Sequence, residues 1–171
     1  MAIPVVLDTD IGTDIDDTWA LLQLLACPEL DLKLIVTTGG DTTYRARLVA
    51  KLLEIADRTD VPIAIGIEGE AYAEFQADWL GDYSLSSYAG TILDDPVQAY
   101  RQIAAKQREL TVISIGPATN VAQLVASAPE LIPHFRFVGM HGSVHLGYDG
   151  LPPATPEANV TADTAALRTV L

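Results

Sequence analysis

Cysteine occurs once in the 171 residues, at Cys27, so no internal disulfide can form and no Cys/His cluster offers a zinc site. The residue reads as part of a helix-end core. Basic residues are also scarce: ten Lys and Arg stand against 23 Asp and Glu, a formal net charge of -13. Affinity for nucleic acid comes largely from cationic side chains that neutralise phosphates, so this balance excludes a protein that wraps a phosphate backbone. A cation remains a suitable ligand.

Long apolar runs are missing too. The stretch from Trp19 to Cys27 is interrupted by Gln23 and falls well short of the ~20 residues that a membrane span needs, so no membrane partner is expected. The N-terminus runs into an apolar strand pattern, Ile3 to Leu7, without a basic leader region or a small-residue cleavage site, which makes the cytoplasm the expected compartment. There is no Gly-rich Walker sequence with its Lys, no EF-hand spacing, no internal repeat and no interdomain linker. What the chain does have is 49% apolar and 19% charged residues, which suits one soluble domain over residues 1–171 with a sizeable core.

Short runs rich in Val and Ile recur at Ile3 to Leu7, Leu32 to Val36, Val61 to Ile65, Thr111 to Ile115 and Phe135 to Met140, separated by segments of helical period. This alternation predicts an α/β fold, a Rossmann-like, open, mostly parallel sheet with helices on both faces. From Thr18 to Ala26, Trp19, Leu22 and Ala26 share one helical face and Leu21, Leu24 and Leu25 widen it, predicting a helix buried on most sides. A second helix is expected from about Thr43 to Arg58, capped by Asp41 or Thr42, with Ala46, Val49, Ala50, Leu53 and Ala56 inward and Arg45, Lys51, Glu54 and Asp57 facing water. The stretch from Ile67 to Leu93 has poor periodicity and reads as a surface excursion with a short helix near Phe75 to Leu80. Helices follow from Asp95-Pro96 to about Gln107, over Thr119 to Ala126 and over Thr161 to Leu171. The last has no C-terminal cap and reads as if cut in mid-element.

The most informative segment is Asp8-Thr9-Asp10-Ile11-Gly12-Thr13-Asp14-Ile15-Asp16-Asp17, with five carboxylates in ten positions between a buried strand and a buried helix. In an open α/β sheet this junction lies at the carboxyl edge, where ligands commonly bind. Like charges held there repel unless protons or a cation offset them. A hard divalent ion is the simplest remedy, and calcium, which accepts six to eight oxygens with loose geometry, suits the segment better than magnesium. Asp is also favoured at helix N-termini, so one or two of the five can be caps only. A strand-end Asp-x-Asp also serves aspartyl-nucleophile phosphotransferases, with covalent phosphate then expected on Asp8.

The run from Val6 to Leu25, VLDTDIGTDIDDTWALLQLL, resembles the N-terminal signature of the inosine-uridine preferring nucleoside hydrolases, DxDxGxDD before a buried helix, here lengthened by two residues. The resemblance continues through Thr37-Thr38-Gly39-Gly40-Asp41, Ser114-Ile115-Gly116-Pro117-Ala118-Thr119-Asn120 and Pro156-Glu157-Ala158-Asn159-Val160, in the family's order. It implies hydrolysis of the N-glycosidic bond of ribonucleosides, in nucleoside catabolism and salvage, with a bound calcium ion holding a water and two ribose hydroxyls. By this resemblance Asp10 and Asp17 are calcium ligands, Thr119 gives its backbone carbonyl, and Asp16 takes the water's proton. Asp8, Asp41, Met140, Glu157 and Asn159 are substrate-binding residues, with Asp8 supporting the site from the first strand and Glu157 and Asn159 facing sugar hydroxyls from an extended segment.

Departures from the family pattern are specific. Asp41 stands where an Asn is frequent, and Met140-His141-Gly142 replaces Met-Gly-Gly. Family chains run to about twice this length, and their later half brings a final Asp ligand with a neighbouring His, which leads to the expectation that this chain is an incomplete form. A homo-oligomer is expected of the full-length form. His141 and His145 could protonate a leaving base, and Trp79, Tyr83 and Tyr88 could stack on one. A metal- and ribose-binding domain without turnover is the alternative of a different class.

Overall fold

The computed structural model describes residues 2–171. Among these, six strands form one parallel sheet: β1 (Ile3–Thr9), β2 (Leu30–Thr37), β3 (Ile63–Ala64), β4 (Ile92–Leu93), β5 (Leu110–Ser114) and β6 (Phe135–Gly139), in the spatial order β4-β3-β2-β1-β5-β6. The chain first builds outward from β1 through β2, β3 and β4, then returns to lay β5 on the other side of β1. That reversal opens a crevice beyond the carboxyl ends of β1 and β5, at the topological switch point. The acidic segment follows β1 directly and so lies at this crevice.

Side chains alternate along β1 into two cores. Val5 and Leu7 pack with Leu21 and Leu24 of α1 (Asp16–Ala26) and with Val49 and Leu53 of α2 (Thr42–Ile55). Val6 packs on the opposite face with Tyr100 of α4 (Pro96–Ala104) and Leu124 of α5 (Thr119–Ser127). The expected α/β sheet with helices on both faces is therefore present. The excursion carries a single helical turn, α3 (Ala77–Leu80), and a 3-10 turn at Leu85–Ser87, and it ends in β4, which its polar composition had hidden.

Three expectations are corrected, two about faces and one about an element. Helix α1 buries Asp17, Thr18, Leu21 and Leu24, while Trp19 is 65% exposed, so the helix is rotated away from the Trp19/Leu22 face. The polar pair Asp17 and Thr18 is drawn inward by partners that periodicity does not reveal: Thr9 for Asp17 and Gln76 for Thr18. Arg45 does not face water but is buried beneath the segment after β1. The last helix is two, α6 (Ala158–Ala162) and α7 (Thr164–Val170), broken where the Asp163 carboxylate accepts the Ala166 amide at 2.8 Å and caps α7. Among the described residues no helix is long and apolar enough to cross a membrane.

Candidate metal and substrate site

At the end of β1 the chain turns sharply. Gly12 has φ +108°, and an added Cβ would meet Leu48 Cδ1 at 2.5 Å and Tyr44 Cε1 at 2.7 Å, so only glycine fits between the turn and α2. The Thr9 hydroxyl is used twice, donating to Asp17 Oδ1 at 2.6 Å and accepting the Ile11 amide at 3.1 Å. It thereby fastens the first turn of α1 to the last residue of β1. From the other side, Gln76 of the excursion donates to the Asp14 carbonyl at 2.5 Å and accepts the Thr18 hydroxyl at 2.9 Å. The acidic segment is thus an elbow held from β1, α2 and the excursion together.

The elbow forms one wall of a cavity of about 180 Å³. Asp10, Asp14, Asp16 and Asp17 line it on that side, with Ile115 and Pro117 from the β5–α5 loop, Met140 after β6, and Glu157 and Asn159 of the α6 start opposite. Residues expected to act together, from three distant parts of the chain, therefore share one hollow, joined by Ile115 and Pro117 in place of the expected Thr119. Tyr72 and Tyr148, which periodicity left unassigned, line it as well.

Burial and mutual repulsion set the electrostatics of the wall. Burial pushes the Asp17 carboxyl up to about 8, and the neighbouring Asp10 charge adds to this against the Thr9 hydrogen bond. Burial likewise raises Asp10, opposed mainly by the charge of Arg45. Asp14 and Asp16 divide a proton unequally: their mutual hydrogen bond lifts Asp14 to about 6 and lowers Asp16, which stays ionised. Carboxylate oxygens of Asp14, Asp16 and Asp17 lie within 4.8 Å of one another, a spacing that one ion can bridge. An all-oxygen set of this kind fits a hard cation such as Ca²⁺ or Mg²⁺ better than a soft one.

The other expected residues are placed less uniformly. Asp8 is fully buried behind the wall, where its Oδ2 accepts the Asn120 amide at 3.0 Å and the Tyr100 hydroxyl at 3.2 Å. Burial pushes it up to about 7. Asp41 caps α2, accepting the Tyr44 amide at 2.8 Å, and is not on the cavity wall. Thr119 opens α5 with its hydroxyl donating to Asp163 at 2.8 Å, whereas Ile115 and Pro117 are the members of its loop that reach the cavity.

The expected extended segment around Glu157 is instead a helix start, because the Glu157 carboxylate takes the amides of Asn159 and Val160 as an N-cap and that of Gly142 from across the loop. Asn159 turns its amide donors onto the carbonyls of Ile115 at 2.8 Å and Met140 at 3.1 Å. His141 sets Nε2 3.2 Å from the Gly116 carbonyl, and burial lowers its pKa, which keeps it neutral. Trp79 lies under the Lys51 ammonium, 4.4 Å from the ring centre, and Tyr88 is a core residue, so neither reaches the cavity.

The sequence model described as "Inosine-uridine preferring nucleoside hydrolase" matches residues 5–171. The pyrimidine-specific ribonucleoside hydrolase RihA of Escherichia coli O9:H4 (strain HS) is 36% identical over 184 residues, covering 99% of this chain and 57% of that protein. RihA of Salmonella typhimurium is 33% identical over 187 residues with the same coverage. Among solved structures, the plant nucleoside hydrolase PpNRh1 superposes with a TM-score of 0.79 at 28% identity, over 99% of this chain and 57% of that one. An inosine-uridine preferring nucleoside hydrolase from Bacillus anthracis shares the fold with a TM-score of 0.77 at 19% identity, over 98% of this chain and 61% of the other. The chain thus spans 57% of the length of these curated relatives.

Proposed function

The chain belongs to the inosine-uridine preferring nucleoside hydrolase family, and from that premise we propose that its acidic cavity serves hydrolysis of the N-glycosidic bond of ribonucleosides to free base and ribose. The observation that carries this reading is the convergence of Asp10, Asp16, Asp17, Met140, Glu157 and Asn159 on one cavity. Asp10 and Asp17, the most buried carboxylates of the wall, would hold Ca²⁺, with Asp14 near enough to take part. By the family resemblance Thr119 would give its backbone carbonyl to the ion. When bound, calcium would supply positive charge that acidifies a water and attracts sugar hydroxyls.

The remaining roles follow from what each side chain has left to offer. Asp16 stays ionised beside Asp14 and is therefore the group able to accept a proton from the attacking water. Positive charge that gathers on the sugar in an oxocarbenium-like transition state is stabilised by the carboxylate wall. Asn159 has both amide hydrogens committed to carbonyls, which leaves its Oδ1 to accept a sugar hydroxyl. Glu157 Oε1 accepts a single backbone amide and keeps a lone pair for a hydroxyl, whereas Oε2 already accepts two amides. Met140 offers an apolar wall, Asp8 acts through the strand that carries Asp10, and Asp41 contributes through whatever oxygen its cap leaves free. An aspartyl-phosphate mechanism is disfavoured by the same geometry, because Asp8 is buried off the cavity and already bonded on Oδ2.

Pyrimidine ribonucleosides are the first substrates to test, since the RihA relatives are pyrimidine-specific. The same reading keeps residues 1–171 as one α/β domain, the N-terminal portion of a longer hydrolase domain, in a cytoplasmic homo-oligomer. Calcium titration calorimetry and a base-release assay over uridine, cytidine, inosine and adenosine test it together. Calcium binding with release of base supports the enzyme, binding of calcium and ribose without release supports a binding domain, and no calcium binding with no release ends the proposal. Asp16→Asn should abolish turnover far more than it weakens calcium, and equal loss of both would remove Asp16 from its role.

A further inference from the structure

Arg45 projects from the first turns of α2 and is 2% exposed. A guanidinium buried that deeply is costly unless its donors are satisfied. Nε donates to the Gly39 carbonyl at 2.6 Å, one terminal nitrogen donates to the carbonyls of Asp10 and of Ile11, the latter at 2.8 Å, and the other donates to the Thr13 hydroxyl at 3.0 Å. None of these acceptors is a carboxylate, although five aspartates lie within Asp8 to Asp17. An ordinary ion pair would occupy carboxylate oxygens. Here the fork instead takes three backbone carbonyls and the Thr13 hydroxyl, and leaves the carboxylates to the cavity.

The acceptors also have a pattern. Asp10, Ile11 and Thr13 are the stretch that leads from β1 around Gly12 toward Asp14, and the Gly12 carbonyl between them is taken by the Tyr44 hydroxyl at 3.2 Å. One side of α2 therefore grips every residue of the turn. Resting on the functional reading above, we propose that Arg45 is a positioning residue whose guanidinium fork fixes the course of the elbow so that Asp10 and Asp17 present carboxylates to a single divalent cation.

A role as simple counter-charge makes the opposite demand. A fixed positive charge near a cation site repels the cation, so deleting it from an unchanged backbone would tighten calcium binding. Calcium calorimetry on the wild type, Arg45→Lys and Arg45→Met separates the two, with Lys51→Met as a control on the same helix but off the cavity. Positioning requires at least a tenfold loss of calcium affinity in both Arg45 variants, since an ammonium cannot reproduce a planar fork, and no change in the control. Hydrogen exchange should show the bonded amides that flank the turn, those of Ile11, Asp17 and Trp19, losing protection in both variants while those of β1 keep theirs. Unchanged or tighter binding in Arg45→Met, wild-type affinity in Arg45→Lys, or lost affinity with a fully protected elbow would each overturn the proposal. If Arg45→Met does not fold, the Lys variant alone decides. If the wild type binds no calcium, the metal reading fails, and the elbow's exchange then settles the positioning claim independently.

Discussion

Replacing Asp17 with Asn should stabilise the metal-free protein while removing its response to calcium. Asp17 is 6% exposed, and its carboxyl is pushed up to about 8 by burial and by Asp10, against an ordinary value of 3.8. Between those values the folded state keeps a proton that the unfolded chain has released, so stability falls as pH rises, by about 1.4 kcal/mol per pH step for one proton, and levels off above about 8. From pH 5 to pH 8 the loss assigned to Asp17 is on the order of 4 kcal/mol. Asn carries no such proton and can still accept the Thr9 hydroxyl. In EDTA the lead of the Asn variant should therefore widen by roughly 10 °C in melting temperature between pH 5 and pH 8. Calcium reverses the order: at a thousandfold excess over Kd the wild type gains about 4 kcal/mol and the variant gains none. Thermal melts at both pH values, with EDTA and with Ca²⁺, read all four states. An Asn variant less stable than the wild type at pH 8 in EDTA, or one with the same pH slope, would refute the claim that uncompensated charge strains this wall.

Other substitutions test the frame around it. Gly12→Ala should cost roughly 3 kcal/mol in urea unfolding, from a positive φ and an overpacked contact with Leu48 and Tyr44. Asn120→Ala should cost about 3 kcal/mol, because the Asn120 side chain joins the Ile67 amide, the Thr37 carbonyl and Asp8 in a fully buried place, and denaturant melts would show it. Asp41→Ala should cost about 1 kcal/mol as a lost helix cap and leave calcium affinity unchanged, while a nucleoside KM that rises many-fold would give Asp41 the substrate role as well.

Periodicity located the elements well because buried parallel strands and amphipathic helices write their burial into local composition. It failed where a polar residue is drawn inward by a partner far along the chain. Arg45 sits at a position that helical spacing assigns to water, yet three of its four acceptors lie more than 30 residues earlier, on the elbow. Asp17 and Thr18 were hidden in the same way, paired with Thr9 and Gln76. β4 escaped notice because two strand residues in a polar stretch carry no pattern of their own. Asp14 stood within the acidic motif, and its place beside Asp16 and Asp17 became visible only in three dimensions.

The sequence alone determined that a crowd of carboxylates follows a buried strand, and therefore that acidic groups gather at the rim of a parallel sheet. Local chain order suffices for that, since strand, turn and helix are set by neighbouring residues. Only the tertiary structure decided which carboxylates share the hollow, that Glu157 and Asn159 close it as a helix start, and that a buried Arg holds the turn without touching a carboxylate. These are decided by contacts between segments, where burial and donor satisfaction act over distances that no local pattern records.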